Sequence, residues 1–162
     1  MKKITKISIL GLLGFSLFSC EVGLGPAVDT HAPVINVTSP EMNSNVNGTM
    51  YIAGVATDDQ ELNEVTIIIE ENTIGGSIKN LKIVNKEWFV KDNDEWIPFA
   101  GTVIGDKKSI TWDVSVDLSG AVSGSEYTIT TQVTDLYNND SRHSKDIRTV
   151  LVDYKNPIVS VS

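Results

Sequence analysis

The 162-residue chain carries 13 basic and 21 acidic residues, a formal net charge of −8. That balance argues against nucleic-acid binding, which rests on neutralising phosphates with Lys and Arg, and against a peripheral grip on anionic lipid. A single cysteine, Cys20, leaves no intrachain disulfide to hold the fold, so a packed core must do so.

Residues 1–19 read as an address. Lys2, Lys3 and Lys6 form a basic start, and Ile7 to Phe18 follows without a charge. As a helix this run would be about 18 Å long, too short for a bilayer core of about 30 Å. A basic start, a short apolar run and a small residue before a cut are the pattern of a secretory signal. Removing its three lysines from the 13 basic residues leaves 10 against 21 acidic, a charge of −11. Residues 20–32 contain Gly23, Gly25 and Pro26 with little periodicity and read as a flexible tether.

From Pro33 the hydrophobic period is two. Val34 to Thr38 and Met50 to Thr57 open the series, and Val65, Ile67 and Ile69 form the next inward set. Residues 72–105 are longer than a simple connection. Within them, Leu81 to Val90 predicts a strand pair and Trp96 to Ala100 a short strand, placed at an edge by Pro98. The clearest alternation follows: Ile110, Trp112, Val114, Val116 and Leu118 are separated by Thr111, Asp113, Ser115 and Asp117. Tyr127, Ile129 and Val133 alternate with threonines and Gln132, and Ile147 to Val152 closes the set. Turn formers punctuate these runs, as at Asn47-Gly48, Asp58-Asp59 and Asp92-Asn93-Asp94. Short strands with frequent turns predict an all-β sandwich of about seven to nine antiparallel strands over residues 33–153. The end repeats the beginning. Val28-Asp29…Pro33 recurs as Val152-Asp153…Pro157, so residues 154–162 read as the first strand of a further repeat.

Two resemblances sharpen this reading. Leu17-Phe18-Ser19-Cys20 resembles a lipobox of the relaxed kind found in spirochaetes. The resemblance implies diacylglyceryl and N-acyl lipid on Cys20 after cleavage, and an exported protein held to a membrane of the cell envelope, the outer membrane or cell surface being favoured. Further on, Val37-Thr38-Ser39-Pro40, Ile52-Ala53-Gly54-Val55-Ala56-Thr57-Asp58-Asp59, Trp112, Gly124-x-x-Tyr127 and Val133-Thr134-Asp135 stand in the order seen in bacterial immunoglobulin-like (Big-type) domains. This implies an immunoglobulin-like β-sandwich in which Tyr127 forms a tyrosine corner. Gly54, mid-strand, is expected to let a bulky neighbour such as Trp112 pack closely.

The chemistry is sparse. There is no Gly-x-Ser-x-Gly motif, the one cysteine is the lipid acceptor, and His31 and His143 have no second ligand at helical spacing, which argues against a zinc site and an enzyme. The expected function is a membrane-anchored binding or adhesion module meeting a protein or glycan, with a structural spacer repeat as the rival. Trp88 and Trp96, both in the 72–105 insertion, are the candidate binding residues. Asp29, Asp58, Asp59, Asp135 and Asp140 are candidate calcium ligands, because an immunoglobulin-like sandwich would gather them at one pole and hard oxygen donors suit that ion.

Overall fold

The computed structural model describes residues 29–72, 77–137 and 143–154. Cys20 and the leader before it, Asp140, and the end from Lys155 lie outside the described residues. The described strands are β1 (Val34–Ser39), β2 (Ser44–Val46), β3 (Thr49–Thr57), β4 (Leu62–Glu71), β5 (Ser77–Val84), β6 (Glu87–Asp92), β7 (Glu95–Pro98), β8 (Thr102–Gly105), β9 (Ser109–Asp117), β10 (Glu126–Asp135) and β11 (His143–Val152).

They form two sheets, one ordered β1-β3-β9-β8 and the other β2-β11-β10-β4-β5-β6-β7. In immunoglobulin lettering the first is A-B-E-D. The second is G-F-C extended through C′ and C″, with a further strand at each margin. The fold is therefore an all-β immunoglobulin-like sandwich, built without helices among the described residues.

The count exceeds the expected seven to nine strands for two physical reasons. The chain leaves β1 at Pro40, crosses to the other sheet and pairs again as β2, parallel to β11 through Val150↔Ser44 and Val152↔Val46. β2 is thus a strand beyond the anticipated Val34 to Thr38, and the sandwich is not wholly antiparallel. The 72–105 insertion then folds into a meander, β5-β6-β7, that extends the larger sheet, and β8, which returns to the smaller one.

The meander's turns explain themselves. Asn85 and Lys86 have φ of 52° and 64°, and Asn93 and Asp94 have 45° and 68°. Two-residue hairpins need such left-handed pairs to match strand twist.

The core lies where the alternating apolar faces meet. Ile110, Trp112, Val114 and Val116 of β9 and Met50 and Ile52 of β3 face Val65, Ile67 and Ile69 of β4 and Ile129 and Val133 of β10. Each such aliphatic side chain taken from water contributes about 1.5–3 kcal/mol. Gly54 and Trp112 are direct cross-strand partners. A Cβ on Gly54 would lie 2.5 Å from Trp112 Cζ2 and 2.9 Å from Asn36 O, so the indole occupies the space a side chain would need, as expected.

Tyr127 is buried at the start of β10. The position two residues on, where disulfide-bonded immunoglobulin domains carry a cysteine, is buried Ile129. At this end of the sandwich the Tyr154 hydroxyl donates to Leu118 O at 2.5 Å, tying the last described residue to the β9–β10 connection. Arg148 of β11 does similar work where β1 crosses over. It donates to Pro40 O at 2.7 Å and to Val37 O, and its Nε pairs with Asp146 Oδ1 at 2.9 Å.

Candidate functional site

One pole of the sandwich gathers the chain's lead-in, the β3–β4 turn, the β8–β9 turn and the end of β10. Backbone hydrogen bonds knit these together: Asp58 N to Lys108 O at 2.8 Å, Leu62 N to Lys107 O at 2.7 Å, and Leu136 N to Glu61 O at 2.8 Å. Asp58 shapes its own turn, because its Oδ1 accepts from Gln60 N at 2.8 Å and Glu61 N at 2.9 Å. An Asp at the head of a tight turn commonly does this.

Asp58 Oδ2 points the other way. It is shielded from solvent and accepts no hydrogen bond. There it meets Asp29 and Asp135, and one carboxylate oxygen from each of the three lies within 4.8 Å of the other two. Asp135 is 0% exposed and Asp29 3%. Three carboxylates at that spacing form an all-oxygen donor set. Such a set suits calcium better than a thiophilic metal.

The structure thus brings together three of the five predicted aspartates. Asp140 lies outside the described residues. Asp59 turns to the surface, where its Oδ2 lies 3.0 Å from His31 Nδ1. His31 also donates its backbone N–H to Asp29 Oδ1 at 3.0 Å. Asp29, His31 and Asp59 therefore form a second, more exposed group with ligand atoms within 4.8 Å. Helical spacing could not find it. His31 and Asp59 lie 28 positions apart in the chain and meet only because the lead-in packs beside the β3–β4 turn.

Beside this pole a cleft of roughly 330 Å³ opens between the sheets, lined by Leu62, Val65, Ile83 and Ile110. Lys86 Nζ donates to Gly105 O at 2.7 Å from one sheet to the other, and Lys107 pairs with Glu61 at 2.7 Å.

The two insertion tryptophans part company. Trp88 is 3% exposed and packs in the core. A Cβ on Gly101 would come within 2.5 Å of its Cδ1, and its Nε1 donates to Thr102 O at 3.2 Å. Trp88 is therefore not a binding residue. The reason is register: β6 presents Trp88 to the inner face, paired with buried Ile83. A coplanar Trp88–Trp96 platform for sugar is excluded with it. Trp96 remains at the surface, 38% exposed, with Lys82 Nζ 4.3 Å from its ring centroid.

No protein-family model and no curated protein matches the sequence. Solved structures do match. One is that of murine CRIg, 8% identical, covering 75% of this chain and 96% of that chain with a TM-score of 0.35. Among the described residues no helix is long and apolar enough to cross a membrane.

Proposed function

We propose that this chain is a non-catalytic binding module of the cell envelope, lipid-anchored through Cys20 and presenting the extended margin of its larger sheet to a protein or glycan partner. The observation that carries this reading is β7. All four of its residues are exposed, yet it is ordered onto β6 through Phe89↔Pro98, Val90↔Ile97, Lys91↔Trp96 and Asp92↔Glu95. Ordering a backbone costs about 1–2 kcal/mol per residue, and β7 meets it with its ladder and partial burial, because none of its residues reaches the core. It holds Trp96 at the outward surface, the residue type most enriched where interface contact energy concentrates.

The test is photo-crosslinking in intact cells. A crosslinking residue at Ile97 should give a discrete adduct, and one at Tyr51, exposed on the smaller sheet, should not. Adducts at neither position would favour the spacer role. The anchor has its own check: metabolic labelling with palmitate should mark the protein, and Cys20→Ser should abolish the label.

A second reading, a structural unit stiffened by calcium at the tether pole, is favoured by the convergence of Asp29, Asp58 and Asp135. Calcium at about 100 times its Kd would add about 2.7 kcal/mol. The melting temperature should therefore rise with calcium and fall back with chelator, and Asp135→Asn should remove the difference. A melting curve indifferent to calcium would dismiss the ion.

A further inference from the structure

The tail of the chain repeats its first strand in a way that tracks burial. Over residues 29–38 three positions are buried: Asp29, Pro33 and Val37. At an offset of 124 these three recur unchanged as Asp153, Pro157 and Val161. Half-buried Ile35 is replaced by another aliphatic residue, Val159, and every exposed position of the stretch differs. Identity is kept where the side chain enters the fold and lost where it meets water. The tail therefore carries the residues that the seat of β1 requires.

That seat asks for little more. β1 is the margin of the smaller sheet, with β3 as its one neighbour there. Beyond the ladder, Arg148 holds it by donating to Val37 O and Pro40 O, and Ser39 Oγ donates to Tyr51 O at 2.7 Å. The ladder and Arg148 both engage backbone, which any strand in the same register supplies.

The tail cannot fill this seat in its own molecule. Val34 pairs with Thr57 at the end of β3, so β1 enters from the tether pole and runs antiparallel to β3. The tail leaves at the other pole. There Asp153 N donates to Val46 O at 2.9 Å. Tyr154 bonds Leu118 O, next to the Thr49↔Asp117 pair where β3 begins. The nine residues of β3 set the two poles about 30 Å apart at about 3.4 Å per residue. Continuing from Tyr154 along its own β3, the tail would run parallel to that strand, the reverse of β1.

We infer that residues 157–162 of one molecule take the β1 seat of a second copy of this chain, with Ser160 opposite Val55 and Val161 opposite Gly54. The incoming strand displaces the resident one. Such a swap exchanges one ladder for its like, so it costs little beyond bringing two copies together. The contact is head to tail, and each added copy presents a further tail, so the assembly grows as an open chain. This goes beyond the binding-module reading and does not depend on it.

The test is disulfide trapping with the full chain in mild detergent, carrying Cys20→Ser so that the introduced thiols are the only ones. Chains with Ser160→Cys are incubated with chains with Val55→Cys and then oxidised. Asn36 pairs with Val55 in the resident strand, so Ser160, its counterpart, should join Val55 in a mixed dimer. Ser115→Cys, exposed on β9 and one strand farther from the seat, should give at least tenfold less. Two matched substitutions should act in opposite directions. Val161→Asp spoils the incoming strand and should abolish the Val55 crosslink. Val37→Asp weakens the resident strand and should raise it several-fold; if circular dichroism shows that variant unfolded, Val37→Ala serves in its place with the same expected direction. No mixed dimer at Val55, an equal yield at Ser115, or a crosslink indifferent to Val161→Asp overturns the inference.

Discussion

The smaller sheet and the outer margin of the larger one spend their residues differently. β9 buries every second side chain, Ile110, Trp112, Val114 and Val116, while β7 leaves all four of its residues exposed. Each is held by an ordinary antiparallel ladder, so hydrogen bonding does not separate them. What separates them is whether the second face of the strand meets another sheet. Where it does, the strand builds the core and its sequence answers to packing. Where it does not, the strand is free to carry surface chemistry.

Substitutions should break this contrast in a graded way. The largest effect belongs to Trp112→Ala, which leaves a cavity opposite Gly54 and should cost about 3–5 kcal/mol in urea denaturation. Gly54→Ala comes next. Its Cβ would press on the Trp112 ring at 2.5 Å and on Asn36 O at 2.9 Å, and overpacking of this kind costs about 1–3 kcal/mol. Adding Trp112→Leu should recover part of the loss, because the clash is with the indole.

A pH measurement probes the buried end of β10. Burial, then the nearby charges of Glu71 and Tyr154, push the Tyr127 hydroxyl above its usual 10.0. A folded value above the unfolded one means stability is intact below about pH 10 and declines as pH rises through the folded value. Tyr127→Phe should flatten that alkaline decline, read from melting temperatures in a pH series. The smallest effect is expected at the margin. Trp96→Ala should cost about 1 kcal/mol, the size of its exposed cation–π contact with Lys82, and a loss in denaturation as large as that of Trp112→Ala would make β7 part of the core after all.

The alternation of β9 was legible because a strand with one wet and one dry face writes its geometry into every second residue. The exposed edge position of Pro98 was legible because proline cannot donate to a ladder. Trp88 was not. Its neighbours Phe89 and Val90 are also apolar, so period two is lost in β6, and only pairing with Ile83 shows which ring turns inward. The crossing at Pro40 was hidden for a related reason. Pro40 marks the end of β1, but only the pairing of β2 with β11, a strand distant in the chain, shows that the chain has changed sheet there. Asp29, Asp58 and Asp135 could be grouped in advance because the resemblance to immunoglobulin-like domains implies a topology that puts their segments at one end. The outward turn of Asp59 toward His31 could not.

By itself the sequence determined the class of fold, the strand-by-strand assignment of the main core, and the glycine that makes room for Trp112. The first two follow from local alternation, and the third was expected from the immunoglobulin-like resemblance and is met by the Gly54↔Trp112 pairing. Tertiary structure alone decided which carboxylates converge, which tryptophan is buried and which sheet takes up β2. Those outcomes depend on register between segments distant in the chain, and shifting register by one residue moves a whole strand's side chains to the opposite face.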